Sequence, residues 1–218
     1  MDALLVARAA VRARIAAAGR DPDEVTMVAV TKGFPLAVAQ TAVAAGCLDL
    51  GENYAAELLA KATLLAPAGP IPRWHYLGAV QRRKVRDLAP VVGLWHTVAR
   101  MVEGEAIASA APGAAVLVQV ELTGLPGRNG VAPDAVAGLV GSLRRLDLDV
   151  RGLMAVGPPG PPERSRPAFR LVAAMARDLG LPELSLGMSG DLEVAVEEGS
   201  TMVRVGTALF GDRPTGAL

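Results

Sequence analysis

Short apolar runs alternate with longer amphipathic stretches along almost the whole chain. An opening helix is predicted over Asp2–Ala18, because Gly19 and then Pro22 end the helical period there. Eight strands are predicted after it, at Val25–Thr31, Leu48–Leu50, Trp74–Leu77, Leu94–Val98, Ala115–Val120, Val150–Ala155, Leu184–Leu186 and Thr201–Val205. Helices are predicted between them, at Leu36–Ala45, Tyr54–Leu65, Val80–Leu88, Arg100–Ala110, Pro133–Leu143, Pro167–Leu179 and Leu192–Glu198.

This alternation predicts the fold class, since parallel strands need a crossover and the crossover is normally a helix. Eight strand–helix units in about 190 residues favour a closed (β/α)8 TIM-type barrel over an open doubly wound sheet, which is the alternative. We therefore expect an α/β protein in which residues 1–218 form one barrel domain with an extra N-terminal helix.

Two segments contain too much glycine and proline for regular structure. They are Thr123–Gly130 and Gly157–Arg166, and each follows a predicted strand. Both are therefore interpreted as loops at the C-terminal rim of the barrel, where loops either carry function or simply connect elements.

The composition argues against several classes of function. The 22 basic and 22 acidic side chains give zero net charge, and with only seven aromatic residues they argue against a nucleic-acid surface. No apolar stretch is as long as a membrane helix, and the arginines of the first helix are not typical of a signal peptide. The single cysteine, Cys47, predicts a reducing, cytoplasmic location and a place in the core. No grouping of cysteine, histidine and carboxylates has metal-ligand spacing, so no metal is expected.

Lysine is scarce, which draws attention to Lys32. Of the 22 basic residues three are lysines and the other nineteen are arginines. Lys32 directly follows an apolar strand, so partial burial at the barrel rim would lower its pKa and give an amine able to attack a carbonyl. A solvated lysine at a strand end is the alternative reading. Lys61 is predicted on the exposed face of a helix, and Lys84 on a solvated or anion-facing helix surface.

Glycine-rich turns after the last two strands predict an anion site. Gly187–Gly190, which includes Ser189, precedes one predicted helix, and Gly206-Thr207 begins another short helical turn. Glycine lets backbone N–H groups approach an anion, and helix N-termini direct partial positive charge at it. Barrels often hold a phosphate between the loops after strands seven and eight. The alternative is a tight turn with an N-cap serine and no bound anion, which would have the same sequence pattern.

Arg204 alternates with apolar neighbours, so it is predicted to point into the barrel mouth, where it needs a carboxylate or a ligand atom as partner. A Schiff-base lysine, a phosphate site and an inward arginine together suggest pyridoxal phosphate. Its aldehyde would join Lys32 and its ring nitrogen would face Arg204, staying unprotonated because guanidinium keeps its proton. His75 and His96 are each typical of structural histidines, but His75 is kept as a candidate cofactor contact.

At these residues the sequence resembles the YggS/PROSC family of pyridoxal-phosphate-binding proteins, also called pyridoxal phosphate homeostasis proteins. The matching stretches span nearly the whole chain: Val30–Gly33, Gly51–Tyr54, Trp74–Gly78 with Gln81 and Lys84, Arg151–Met154, Leu186–Ser189 and Gly199–Gly211. The resemblance implies a barrel like the alanine racemase N-terminal domain. It also implies cofactor attachment at Lys32, phosphate contacts at Ser189, Gly206 and Thr207, and ring contacts near Asn53 and Arg204.

Two stretches depart from the family pattern. Arg82-Arg83-Lys84 stands where the family usually has x-Asn-Lys after the glutamine, and Arg128-Asn129-Gly130 replaces a family lysine-x-glycine. These departures put in doubt any ligand contact from those two loops but leave the expected cofactor residues intact.

Three functions remain open from sequence. The first, implied by the resemblance, is a cofactor-binding protein of intracellular pyridoxal phosphate homeostasis without turnover, with apo-enzymes as candidate recipients. The second is a racemase or decarboxylase of the same barrel type. A two-base racemase needs a second acid or base, and the only tyrosines are Tyr54 and Tyr76, with the sequence ending seven residues after Gly211. The third is a Schiff-base aldolase. A small barrel without an added domain favours a monomer.

Overall fold

Eight parallel strands close into a barrel in sequence order. The structure, a computed structural model, describes residues 1–65, 70–124 and 127–213. The strands are β1 (Thr26–Val30), β2 (Asp49–Glu52), β3 (Arg73–Tyr76), β4 (Val92–Val98), β5 (Ala115–Val120), β6 (Asp149–Ala155), β7 (Glu183–Met188) and β8 (Met202–Val205).

The helices lie outside the barrel, and α2 to α8 connect one strand to the next. They are α1 (Asp2–Ala17), α2 (Leu36–Ala44), α3 (Ala55–Leu65), α4 (Arg82–Leu88), α5 (Met101–Ala110), α6 (Val136–Arg145), α7 (Arg166–Asp178), α8 (Leu192–Glu197) and α9 (Thr207–Phe210). Short 3₁₀ turns at Pro133–Ala135 and Pro162–Ser165 lead into α6 and α7.

Pairing of the first strand with the last closes the barrel. β1 pairs in parallel with β2 on one side and with β8 on the other, where Val28 lies opposite Arg204. The closed (β/α)8 barrel is therefore confirmed, and the open sheet does not form. The eight predicted strands and the predicted helices are present, with most of their ends displaced by one or two residues.

The apolar residues form two layers. A large outer core lies between the strands and the surrounding helices and includes the buried Cys47, as predicted. A smaller inner cluster fills the barrel itself, with Val28, Leu94, Leu117, Met154 and Met202 from five different strands. Because strand side chains alternate between the two faces, these five strands supply both layers.

The additional helix α1 packs against α8 and α9, on the side of the barrel where the chain closes. Gly19, with a φ of 84°, ends the helical segment as the sequence predicted. Over the described ranges, no helix has the length and apolar character needed to cross a lipid bilayer. Leu125 and Pro126 of the predicted loop Thr123–Gly130 lie outside the described residues, as do residues 214–218.

Candidate functional site

A cavity of about 360 Å³ opens where the carboxyl ends of the strands meet. This is the end at which barrel proteins place their sites, because the loops after the strands converge there. The described residues that line it include Lys32, Asn53, Ser189, Arg204, Gly206 and Thr207, together with Val30, Phe34, Leu77, Gln119, Met154, Val156, Met188, Gly190, Gly211 and Arg213. Six of the seven residues that the sequence analysis named as candidate cofactor contacts therefore line one cavity.

Lys32 follows β1 at the floor of this cavity and is half-buried. Burial lowers the pKa of its ammonium, and the nearby positive charges of Arg213 and Arg204 lower it further, while Glu52 opposes them. The neutral amine is therefore more populated than at an exposed lysine. Gly33, with a φ of 72°, forms the turn directly after it, a conformation that glycine adopts without strain.

Two residues of α3 hold the peptide groups on either side of Lys32. The Thr31 carbonyl accepts a hydrogen bond from Lys61 Nζ at 2.7 Å, and the Gly33 N–H donates to Glu57 Oε2 at 2.8 Å. Both partners come from one rigid helix, so the backbone of Lys32 is fixed before any ligand enters.

The prediction that Lys61 is exposed is wrong, since only 5% of it is accessible. Its ammonium lies 2.6 Å from Glu52 Oε1 and 3.3 Å from Glu57 Oε2, so the burial is compensated by two carboxylates. The spacing of Glu57 and Lys61, one helical turn apart, and the scarcity of lysine were the signals available in the sequence.

Glu52 is fully buried at the end of β2 and joins this group. Its Oε1 accepts hydrogen bonds from Lys61 and from the Thr31 hydroxyl at 2.6 Å each, whereas its Oε2 has no hydrogen-bond partner among the described residues. Burial raises the pKa of this carboxyl, whereas the hydrogen bonds from Lys61 and Thr31 act in the opposite direction and lower it. The carboxyl thus depends on Lys61 for its charge compensation.

The loops after β7 and β8 meet at Ser189. The Ser189 Oγ accepts a hydrogen bond from the Ala208 N–H in the first turn of α9, at 3.2 Å. Helix first turns leave N–H groups without partners inside the helix, which suits an anion at this position. The Ser189 carbonyl is held in turn by Arg14 of α1, 2.9 Å away, and Arg14 also pairs with Glu193.

Arg204 lies in β8 beneath the cavity and is buried. Its Nη1 donates to the carbonyl and the hydroxyl of Ser185 at 2.6 and 2.7 Å, and its Nη2 donates to the Ala155 carbonyl at 3.0 Å. Burial lowers its pKa to about 10, with the charge of Asp191 acting in opposition, so the guanidinium stays protonated at neutral pH. All three of these bonds are donated by Nη1 and Nη2, so the Nε–H is left to donate to a ligand atom in the cavity.

Asn53 lines the cavity beside Lys32, and its carbonyl lies so close to Gly78 that a Cβ at that glycine would collide with it. His75, by contrast, does not line the cavity. Its ring is fully buried inside the barrel, with Nε2 2.9 Å from Asp49 Oδ1 and Nδ1 2.8 Å from His96 Nε2. The side chain therefore faces neighbouring strands below the mouth and is not among the residues that line the cavity.

Gln119 and Asn129 complete the mouth, and the sequence did not identify Gln119. The Gln119 amide donates to the Asn129 carbonyl, and the Asn129 amide donates to Gln119 Oε1, both at 2.8 Å. A polar residue within the apolar run of β5 was the available signal. Arg128, where the sequence departs from the family pattern, lines two smaller cavities that adjoin the mouth.

The second departure lies elsewhere. Arg82 and Arg83 line an open groove of about 1080 Å³ on the outer surface, between α4 and α5. This groove lies away from the strand ends, and its Arg100 side chain is already paired with Glu103. Among the described residues, no three cysteine, histidine or carboxylate side chains converge as a metal site would require.

The mouth thus combines a half-buried amine, two glycine-containing turns that meet at Ser189 and the guanidinium group of Arg204. Such a set suits a small molecule with a carbonyl group and an anionic group.

Comparisons with known proteins agree with this geometry. The family described as alanine racemase, N-terminal domain, matches residues 6–214. A protein of Pseudomonas aeruginosa named pyridoxal phosphate homeostasis protein is 40% identical over 222 residues, covering 97% of this chain and 96% of its own.

Solved structures of similar proteins have the same fold. PipY of Synechococcus elongatus PCC7942 is 31% identical and covers 95% of this chain and 100% of its own, with a TM-score of 0.87 without PLP and 0.83 with PLP bound. The alanine racemase of Corynebacterium glutamicum, 23% identical with a TM-score of 0.73, covers 100% of this chain and 63% of its own. At that identity the likeness shows the fold alone.

Proposed function

The chain belongs to the alanine racemase N-terminal domain family, together with the pyridoxal phosphate homeostasis proteins, and from this premise we propose that it binds pyridoxal 5′-phosphate and serves in its homeostasis. The observation that carries the proposal is the position of Lys32, a half-buried amine in one cavity with Ser189 and Arg204. PipY, which has the same fold and 31% identity, binds PLP in its solved structure.

The residues of the cavity fit this cofactor. When bound, pyridoxal phosphate supplies an aldehyde that condenses with a primary amine. Among the described residues that line the cavity, Lys32 is the only lysine. Ser189, Gly206 and Thr207 would hold the phosphate at the two turns, where N–H groups and a hydroxyl are available. The unengaged Nε–H of Arg204 would face the ring nitrogen, and Asn53 would contact the ring.

We propose binding without catalytic turnover. An enzyme that racemises amino acids needs a second acid or base opposite the lysine. The described lining contains no carboxylate, histidine, tyrosine or cysteine. Tyr76 is buried against Trp95 with ring centres 5.5 Å apart, and Tyr54 is exposed outside the lining. The relatives named as homeostasis proteins support the same conclusion.

Apo-enzymes that use the cofactor are the proposed recipients. Lys32 is reachable from the open end of the barrel, so the bound cofactor could leave by the same path. We further propose a single domain over residues 1–218, a monomeric state and a cytoplasmic location, all of which follow from the sequence arguments. Gel filtration and transfer assays with a purified apo-enzyme test these points.

The decisive experiment is the visible spectrum of the purified protein titrated with pyridoxal phosphate. We expect a yellow band in wild type, its loss in Lys32→Ala and its retention in Lys84→Ala, a matched change at a lysine of α4. Borohydride reduction followed by peptide mapping should place the label on Lys32.

A band that survives Lys32→Ala would contradict the proposal, and so would a wild type that gives no band after the cofactor is added. The latter result would favour a Schiff-base aldolase, which uses the amine without a chromophore. Single-enantiomer amino acids incubated with the loaded protein test turnover, and racemisation above the rate of free cofactor would contradict the non-enzyme assignment.

A further inference from the structure

Four hydrogen bonds between side chains cross the interior of the barrel and end at Arg204. Asp49 Oδ1 lies 2.9 Å from His75 Nε2, and His75 Nδ1 lies 2.8 Å from His96 Nε2. His96 Nδ1 lies 3.0 Å from Ser185 Oγ, which lies 2.7 Å from Arg204 Nη1. Side chains of β2, β3, β4, β7 and β8 thus form one continuous chain, here called the transverse chain.

The transverse chain runs through the buried interior of the barrel. His75, His96 and Ser185 have no accessible surface, and the side chain of Asp49 is 30% exposed at the start of β2. The inner apolar cluster of the barrel accompanies it. Hydrogen bonds in such surroundings are stronger than in water, and each polarises the next.

Donor capacity fixes the direction of every bond. An ionised Asp49 only accepts, so His75 Nε2 carries the proton there. Burial lowers the pKa of His75 and, more strongly, that of His96, so both rings are neutral at neutral pH. His75 Nδ1 is then an acceptor, which places the His96 proton on Nε2 and leaves Nδ1 to accept from the Ser185 hydroxyl.

Starting from Arg204, at the other end of the transverse chain, gives the same hydrogen-bond directions. Arg204 only donates, so it donates to Ser185 Oγ, which leaves the serine proton for His96. All four bonds therefore point from Arg204 towards Asp49, with a cation at one end and a carboxylate at the other.

We propose that Asp49 is a positioning residue for the cofactor: through the transverse chain it holds the guanidinium of Arg204 in the orientation that presents its free donor to the ring. This inference rests on the proposed function. It also gives an indirect role to His75, which the sequence analysis kept as a candidate cofactor contact.

Two observations support this assignment. Within the described residues no carboxylate pairs directly with Arg204, so the transverse chain is its hydrogen-bonded path to a negative charge. The charged groups that act on the two imidazoles are Asp49 of β2, Arg73 of β3, Glu183 of β7 and Arg204 of β8. Of these, Asp49 and Arg204 are the two joined to the chain by hydrogen bonds.

The first arm of the test uses protein without cofactor. The sequence contains two histidines, so the ¹⁵N NMR spectrum of the imidazoles reports on these rings alone. We expect both in the neutral Nε2–H form at pH 7, with the His96 signals shifted in Ser185→Ala and the His75 signals in Asp49→Asn. A protonated His96 Nδ1 in wild type would overturn the proposal.

The second arm titrates pyridoxal phosphate into Asp49→Asn, which keeps an acceptor but removes the charge. The matched control is Asp149→Asn, at the start of β6, where the carboxylate pairs with Arg151 outside the transverse chain. We expect the Kd to rise about three- to tenfold in Asp49→Asn and to stay unchanged in Asp149→Asn.

The variant Ile107→Ala tests whether Asp49 has a purely structural role. Ile107 is fully buried in the outer core, so this substitution lowers the stability of the fold without touching the transverse chain. At temperatures where all variants are folded, Asp49→Asn should still weaken cofactor binding and Ile107→Ala should not. Equal Kd values in Asp49→Asn and Asp149→Asn, with altered imidazole signals, would overturn the proposal. A wild type that does not bind the cofactor would instead contradict the proposed function, since the first arm needs no cofactor.

Discussion

Glu57 and Lys61 stand one turn apart on α3 and hold the two peptide groups that flank Lys32, through the Gly33 N–H and the Thr31 carbonyl. The candidate reactive amine is thus positioned by a helix that contributes nothing to the described lining of the cavity. Variants of this helix should therefore separate the positioning of Lys32 from contact with the ligand.

Lys61→Met should destabilise the protein strongly. Removing the ammonium leaves Glu52 buried without its positive partner, and breaking a buried pair in this way costs about 3–5 kcal/mol. Urea unfolding measures the loss. Lys84→Met, on the exterior helix α4, is the control and should change stability by about 0.5 kcal/mol or less. The double variant Glu52→Gln/Lys61→Met should regain part of the loss, and equal losses in the two single lysine variants would contradict the buried pair.

Gly33→Ala should destabilise the protein by about 1 kcal/mol and weaken cofactor binding. The φ of 72° at this turn is unfavourable for alanine, and its Cβ would lie 3.1 Å from Arg213 Cδ. Gly138→Ala, on the exposed face of α6 with open space around it, should instead be neutral or stabilising by up to ~1 kcal/mol. Thermal unfolding and cofactor titration check both, and a Gly33→Ala protein as stable as Gly138→Ala would rule out strain at this turn.

Arg14→Gln should weaken the binding of pyridoxal phosphate about five- to tenfold, because the Ser189 loop loses a charged hydrogen-bond donor. Pyridoxal, which lacks the phosphate, should lose little affinity in the same variant. The control Arg12→Gln changes another arginine of α1, whose pair with Asp23 after the helix is exposed, and should leave both affinities unchanged. An equal loss for both ligands would show that α1 acts on the whole cavity and not on the anion end.

Acid should destabilise the folded protein through its two buried histidines. Burial lowers the pKa of both rings below the ordinary value of 6.5, so the unfolded chain binds more protons and stability falls as the pH drops below about 6.5. Each ring contributes a slope of up to ~1.4 kcal/mol per pH unit. Urea unfolding between pH 7.5 and 5 should show this slope in wild type and a smaller one in His75→Gln. An unchanged slope in that variant would mean that His75 is protonated in the folded state.

The fold and most of the site could be predicted from the sequence because both depend on local pattern. An apolar strand followed by Lys32, and glycine turns followed by helix starts, each lie within about ten residues. The barrel then brings these strand ends together whatever the loops contain. Lys32, Ser189 and Arg204 therefore meet where the sequence predicted that they would.

The surroundings of Lys61 and of His75 depend on partners from distant strands. Lys61 is buried because Glu52 at the end of β2 and the Thr31 carbonyl directly after β1 reach it, and an isolated helix pattern does not contain those partners. His75 was placed correctly on β3, but its depth below the mouth is set by its pairing with Gly51 and its bond to Asp49. Sequence pattern indicates which strand carries a side chain more readily than how deep in the barrel it lies.

Closure of β1 against β8 has a consequence for how the protein is made. Lys32 leaves the ribosome early and Arg204 near the end, and they come together only when Val28 and Ala29 pair with residues 204 and 205. A nascent or prematurely terminated chain therefore carries the lysine without the arginine or the Ser189 turn. Cofactor capture becomes a property of finished molecules, and yellow colour in a translation reaction should follow the release of full-length chains.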